Sequence, residues 1–528
     1  MRFYVSLYLF VAGLYLLTAS GRIGLSDGVA MYSVAQSVID KGSFSSDPCE
    51  PDLNDLATGS SVGCVPGKNG QHYAGFGLLP SVLVVPAILG ARAVAEVVHV
   101  NPAVTTKAGA SLFTLMVAPL VCLVLAAWIV KLGYNRWTAA AAAGILAFAS
   151  PFWHFSVKGF FSEPYFTLGI LLAAYLLSGP RNRFSYALAG LAFGLACLAR
   201  LNGVILFPAY ILALAFYNQT HKLSAKEFLR DALAFSASFS VCAALIAGAN
   251  FSRFGSPFKT GYHVAFPTGS SMLSTPLFSG LSRILFSGEI GLIVFAPWIM
   301  VALFCFPRFF REHRSEAALC GASSLIYVLF FAKFSHSEGG WVAGPRYLVP
   351  VLPFLIMAMA PVIQQLQLST SWKLRPWSVI GPVLVVLVGA GFLIQSVGSM
   401  FPDERYYSLR EFYSYKAAKP WWSGSIPLAS VDFLSRMSIK SSQPSRGDFD
   451  QATTRHERER AFASANSAVT EGDYLDRGPN PVNMTAPNLL LIKFRLMGLP
   501  AFVPIAYLLF ALALSFAGAF GLRRSIAL

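Results

Sequence analysis

Charge is scarce in this sequence: Asp, Glu, Lys and Arg make up 12% of its 528 residues, against 55% hydrophobic residues and a mean hydropathy of +0.58. Soluble domains carry roughly 25% charged residues, so this chain must bury most of its apolar surface in lipid. The eight histidines show no HExxH or comparable ligand spacing, which excludes that kind of zinc centre. Cys122, Cys197, Cys242, Cys305 and Cys320 lie in or at the ends of apolar segments, where a small buried hydrophobe is the default reading. Only Cys49 and Cys64 share a polar loop, too few for a cysteine metal site; if that loop faces an oxidising compartment, a disulfide is expected. No GxSxG elbow, no GxGxxG after a strand and no Walker loop is present. There is no internal repeat of fixed period and no low-complexity tract. The formal charge of +15 sits in no basic block with interleaved aromatics, so nucleic acid is excluded as a partner. Lys and Arg come in twos and threes between apolar runs, as topology signals and as sites for anionic phosphates.

What is abundant is apolar sequence of spanning length. Runs fall at about 3–19, 108–130, 137–155, 162–179, 185–200, 203–217, 232–251, 288–306, 316–333, 347–366, 378–398 and 497–521. The expected fold is an all-α polytopic membrane protein of about twelve transmembrane helices. The first run, after Arg2, has no convincing small-residue cleavage site and reads as an uncleaved span. A thirteenth stretch, 76–97, is broken by Pro80 and Pro86 and carries Arg92 and Glu96. If it does not cross, the clusters Lys131/Arg136, Arg181/Arg183, Lys222/Lys226/Arg230, Arg308/Arg311/Arg314, Lys373/Arg375 and Arg523/Arg524 all fall on the cytoplasmic side. It is therefore expected to be a juxtamembrane or re-entrant helix in the first outer loop, 20–107. The expected organisation is a transmembrane domain over 1–398, a periplasmic loop or small domain over 399–496, and a last helix with its tail over 497–528.

Ionisable groups at a membrane boundary are costly unless paired or used, and several converge on the outer face. Asp27 opens the stretch Leu25–Phe44, where Met31, Val34, Ala35 and Val38 have the spacing of an amphipathic interfacial helix. An acid there is either a helix cap or a catalytic base. Glu163 precedes Pro164 before a span, which also suits a first-turn acid. Arg200 ends an apolar helix, where a snorkelling anchor is the alternative. The densest cluster is Lys333, His336, Glu338, Trp341 and Arg346 in AKFSHSEGGWVAGPRYLVPVLP, with glycines that let backbone approach a ligand and an arginine fork suited to phosphate. The alternative is a glycine-rich turn with interfacial anchors. PGKNGQHYAGFG adds Lys68 and His72 as a weaker anion site. One candidate base with phosphate-gripping cations at a lipid–water boundary suits group transfer from a lipid-linked phosphate.

These residues resemble those of the integral-membrane GT-C glycosyltransferases that use polyprenyl-phosphate sugars, the group containing lipid A aminoarabinose transferases and protein O-mannosyltransferases. The likeness rests on Asp27 with Tyr32 early in the first outer loop, the aromatic- and Pro-rich stretch 76–97, Glu163 before a span, Arg200, and GGWVAGPRYLVPVLP, and it covers roughly residues 1–366. Ser26-Asp27-Gly28 departs from the paired Asp-Glu of the aminoarabinose and mannosyl branches, leaving branch and sugar open. The resemblance implies Asp27 as the base activating an acceptor hydroxyl, with inversion at the sugar carbon. It implies Arg200, Arg346 and Lys68 or His72 as donor-phosphate ligands, and Glu163, Glu338, Tyr32 and Trp341 as groups orienting sugar or acceptor. It further implies a polyprenyl-phosphate sugar as donor and a periplasmic glycan, lipopolysaccharide or glycolipid as acceptor. The site would lie on the extracytoplasmic side of the inner membrane; some members need a divalent cation, which the acids here neither require nor exclude. A transporter or flippase of lipid-linked sugars is the alternative, but its polar groups would lie at mid-membrane, often in repeat-related broken helices.

Overall fold

The computed structural model describes residues 1–23, 26–46, 63–266, 272–337, 339, 342, 344–368, 377–400, 490 and 502–527. α1 (Arg2–Thr18) leads to α2 (Ser26–Lys41), a small antiparallel hairpin of β1 (Val65–Pro66) and β2 (His72–Tyr73), and the short helices α3 (Leu79–Leu83) and α4 (Val85–Val98). The next elements are α5 (Pro102–Lys131), α6 (Arg136–Phe148), α7 (Phe152–Val157), α8 (Glu163–Leu177), α9 (Arg183–Ala199), a 3-10 turn Leu201–Leu206 entering α10 (Phe207–Thr220), and α11 (Ala225–Phe254). The chain continues through α12 (Gly261–Ala265), α13 (Leu277–Phe286), α14 (Leu292–Phe295), α15 (Ile299–Glu312) and α16 (Arg314–Lys333). A second 3-10 turn, Arg346–Val351, enters α17 (Leu352–Met357), followed by α18 (Ala360–Leu368), α19 (Trp377–Met400) and α20 (Phe502–Ala527).

The protein is an all-α polytopic membrane protein, and among the described residues each expected apolar run falls largely in helix. Among the described residues, six helices are long and apolar enough to cross a membrane by length and composition, with a seventh span if Arg346–Met357 and Ala360–Gln367, bent by 48°, are taken together. The remaining runs are shorter helices or are broken at proline. The residue before a proline is pushed out of the helical region, so the run 137–155 breaks around Ser150-Pro151 and the run 288–306 around Ala296-Pro297, where Ala296 has φ −141° and ψ 68°. Backbone freed in this way inside a membrane must find partners within the protein. Trp298 Nε1 donates to the Ala149 carbonyl at 2.8 Å, and Gln395 Nε2 donates to the Phe295 carbonyl at 2.9 Å.

Two ends can be distinguished. At one, Lys131 donates to the Tyr175 carbonyl, the Tyr134 hydroxyl to Glu312, Asn135 to Gln364 and Gln367, and Arg136 to the Ser525 carbonyl. These are loops that the charge pattern assigns to one side. α4 does not reach that end: its 14 residues rise about 21 Å, short of a bilayer core of about 30 Å, and it folds back along the start of α5. Arg92 on α4 pairs with Asp40 on α2 at 2.7 Å, lowering the Asp40 carboxyl below its usual range chiefly through that hydrogen bond. The segment 399–496 lies outside the described residues apart from Leu490, which is buried and donates its backbone N–H to the Ala19 carbonyl at 2.6 Å.

Close helix contacts depend on small residues, as expected where van der Waals packing rather than water drives association. A Cβ on Gly190 of α9 would lie 2.0 Å from the Phe235 carbonyl oxygen on α11, whereas one on Gly248 of α11 would meet nothing within 4 Å. Gly190→Leu is therefore expected to force the pair apart at a cost of about 1–3 kcal/mol or more. Its thermal midpoint in detergent should fall, while that of Gly248→Leu stays at the wild-type value.

Candidate functional site

At the end of the molecule away from those loops, four ionic side chains from four separate elements meet. Asp27 lies in the first turn of α2, held there because the start of α2 packs tightly on the loop before α8: a Cβ on Gly28 would lie 2.9 Å from the Phe160 carbonyl oxygen. Glu163 is the first residue of α8, with Pro164 behind it fixing the helix entry. Arg200 caps the end of α9 in extended conformation, φ −142° and ψ 112°, just before the first 3-10 turn. Arg346 opens the second 3-10 turn after Gly344 and Pro345. Gly339 and Gly344 have φ of +73° and +100°, left-handed values that suit glycine, and they let the chain double back so that Arg346 faces the other three.

Arg346 Nε donates to Glu163 Oε1 at 2.7 Å, Nη2 to Asp27 Oδ2 at 2.5 Å, and Nη1 to the Gly339 carbonyl at 3.0 Å. Its guanidinium also lies over the Phe161 ring, 5.1 Å from the centroid. Arg200 Nη1 donates to the same Glu163 Oε1, and the Arg200 guanidinium sits 5.5 Å from the centroid of Tyr347. The four charges therefore alternate, Asp27, Arg346, Glu163, Arg200, and sum to zero. Burial separates the two acids: the Glu163 side chain is 0% exposed and that of Asp27 is 22% exposed. Glu163 Oε2 has no hydrogen-bond partner among the described residues, and Arg200 spends only one of its five N–H groups on hydrogen bonds there.

Four of the expected site residues are thus brought together. Tyr32 is elsewhere engaged, its hydroxyl sharing a 2.6 Å hydrogen bond with Thr106 on α5 and accepting another from Gln36. Lys68 lies on the hairpin loop with its ammonium 4.9 Å from the Phe251 ring centroid at the end of α11, and His72 is exposed on β2. Glu338 and Trp341 lie outside the described residues, as does Cys49; Cys64 is disulfide-bonded. Residues with no assigned role in the sequence reading also line the cluster. Phe161 and Tyr347 supply the ring faces under the two arginines, and Tyr262, on α12, lies in electrostatic range of all four charges. Tyr347 sits in the quoted glycine-rich element next to Arg346, while nothing in GYHVA sets Tyr262 apart by charge or spacing.

A chain of charges shared through one arginine can hold two carboxylates in different states, one buried and bridged to two arginines, the other partly exposed. Environments that differ in this way are how one site gives two acids two roles. Among the described residues, no group of three His, Cys, Asp or Glu side chains converges as a metal-holding set.

No protein-family model matches the sequence, and no curated protein matches it. Solved structures do. ArnT from Cupriavidus metallidurans, solved bound to undecaprenyl phosphate, is 16% identical over 87% of this chain and 74% of its own, with a TM-score of 0.43. The archaeal oligosaccharyltransferase AglB from Archaeoglobus fulgidus, solved with an inhibitory peptide and a dolichol-phosphate, is 12% identical over 83% of this chain and 60% of its own, with a TM-score of 0.47. The apo form of the Archaeoglobus enzyme covers 92% of this chain and 72% of its own at 12% identity and a TM-score of 0.47. The chemical reading stands on the side-chain geometry alone.

Removing one partner from a buried pair leaves an uncompensated charge, at a cost of about 3–5 kcal/mol. Glu163→Gln leaves the buried Arg200 without its carboxylate and Arg346 with Asp27 alone, and is expected to lower the thermal midpoint in detergent markedly, whereas Asp27→Asn, at a partly exposed position, lowers it much less. Equal shifts would contradict the division between the two acids.

Proposed function

We propose that this protein is a membrane glycosyltransferase that moves a sugar from a polyprenyl-phosphate donor to a hydroxyl of a periplasmic glycan, lipopolysaccharide or glycolipid. The observation that carries this reading is the Arg346 bridge, which joins a partly exposed acid to a buried acid and, through it, to a second arginine at one end of a membrane domain. In the proposed reaction, Asp27 accepts the proton of the acceptor hydroxyl as its oxygen attacks the anomeric carbon. The bond from that carbon to the phosphate oxygen breaks, and its electron pair leaves with the polyprenyl phosphate. Charge grows on the phosphate as the bond stretches, and a fixed guanidinium in a dry site stabilises it without reorganising. Arg200, with most of its donors uncommitted among the described residues, suits that contact better than Arg346, whose fork is already divided among Asp27, Glu163 and Gly339.

Arg346 is then the group that aims the base. Glu163 holds both arginines and, with Glu338 and Trp341 of the FSHSEGGWVAGPR loop, would orient sugar or acceptor hydroxyls. Lys68 and His72 would contribute on the rim. No step is assigned to a metal. With α4 read as lying on the outer face, the site would be extracytoplasmic in the inner membrane, and the segment 399–496 would help select the acceptor.

General-base catalysis contributes about 10²–10⁴-fold. Asp27→Asn and Asp27→Ala are expected to lose transfer from a polyprenyl-phosphate sugar by that factor while folding normally, and substantial activity in both would refute the assignment of the base. Comparing envelope glycans by mass spectrometry with and without the protein would identify the sugar. The sidedness is tested by Glu96→Cys on exposed α4: an impermeant thiol reagent applied from outside should label it, and protection would reverse the topology.

A further inference from the structure

We infer that Tyr262 presents its hydroxyl to the site and donates a hydrogen bond to the phosphate of the lipid donor, beside Arg200; the inference rests on the glycosyltransferase reading. Tyr262 belongs to the short helix α12, far in sequence from the four ionic residues, and three packed layers bring it to them. Gly261 lies backbone to backbone with the hairpin exit, since a Cβ on it would be 2.1 Å from Gly75 Cα. The Tyr262 ring packs edge-on against Phe76, with centroids 6.4 Å apart. The same segment after the hairpin is seated on the end of α9: a Cβ on Gly77 would lie 2.3 Å from the Leu198 carbonyl oxygen and 2.4 Å from that of Ala199, immediately before Arg200. On the other side, Arg253 Nη1 donates to the Ala74 carbonyl at 2.9 Å and ties this segment to α11. Tyr262 is thus mounted on a scaffold anchored at Arg200.

Its phenol has charged neighbours but no hydrogen bond among the described residues, although Asp27, Glu163, Arg200 and Arg346 all lie in electrostatic range. The two carboxylates are already held by guanidiniums. A hydroxyl left over beside such a chain is a neutral donor available to an incoming anion. Burial, together with the negative charge of Asp27, pushes the phenol up to about 12, so it keeps its proton and its donor capacity across the working range. Guanidinium and phenol together would give the departing phosphate two kinds of donor, one charged and one neutral, from two independently anchored elements.

The test is a titration of undecaprenyl phosphate into the purified full-length protein in detergent micelles, read by intrinsic tryptophan fluorescence. Tyr262→Phe keeps the ring on Phe76 and removes only the hydroxyl, so the thermal midpoint should be unchanged while the lipid binds about tenfold more weakly, as for loss of a hydrogen bond to a charged group. Asp27→Asn should bind undecaprenyl phosphate as the wild type does, because the base faces the acceptor. If Tyr262→Phe binds like wild type, the inference is overturned; if in addition Tyr262→Leu binds weakly, the ring rather than the hydroxyl matters. A wild-type protein that does not bind undecaprenyl phosphate overturns the glycosyltransferase reading and this inference with it. Weakened binding in Tyr262→Phe alongside full transfer activity in Asp27→Asn would leave the tyrosine standing and remove the base.

Discussion

The structure turns on a single guanidinium. Arg346 is 3% exposed and bonds two carboxylates and a backbone carbonyl at once, with an aromatic face beneath it. An arginine is suited to this because its fork is planar, rigid and always charged. Burying it costs several kcal/mol unless opposite charge and hydrogen bonds compensate, and Asp27, Glu163 and the Gly339 carbonyl do so together. The two acids thereby take different roles. Glu163 is enclosed and shared by two arginines, so it is fixed in place. Asp27 is partly exposed, and in the proposed reaction it is the acid that meets the substrate.

The membrane explains why these four residues stand where they do. In lipid, a break in a helix must be repaired by neighbouring side chains, and the fold uses such repairs at Ala149 and Phe295. At the site, the breaks carry chemistry instead. Both arginines stand where the chain passes into a 3-10 turn, and both acids occupy the first turn of a helix. A helix start is a favourable place for a carboxylate, so the capping and functional readings of Asp27 and Glu163 describe the same placement: the backbone steadies the acid that the proposed reaction would use.

Much of this was legible from residues alone. The apolar runs located the helices, and Asp27, Glu163, Arg200 and Arg346 stood out as charges at the ends of apolar segments, which are too costly to be incidental. Sequence reasoning could not divide the work between the two arginines, since that depends on how many N–H groups each one spends on its neighbours. The family resemblance implied an orienting role for Tyr32, whose hydroxyl shares a hydrogen bond with Thr106 on α5. Phe161, Tyr347 and Tyr262 went unassigned because an aromatic residue in a chain that is 14% aromatic carries no signal until its neighbours are known. The broken spans were legible as prolines but not as bends, because the repairing partners, Trp298 and Gln395, are distant in sequence or ordinary in type.

In the proposed reaction one carboxylate works on the substrate while the other is immobilised by arginines. A site of that kind performs a single displacement and inverts the sugar carbon, whereas retention requires a second carboxylate free to attack and form a covalent intermediate. The most direct measurement is the anomeric configuration of the transferred sugar, determined by NMR on the product and compared with that of the donor. Inversion is the predicted result, and retention would contradict the account.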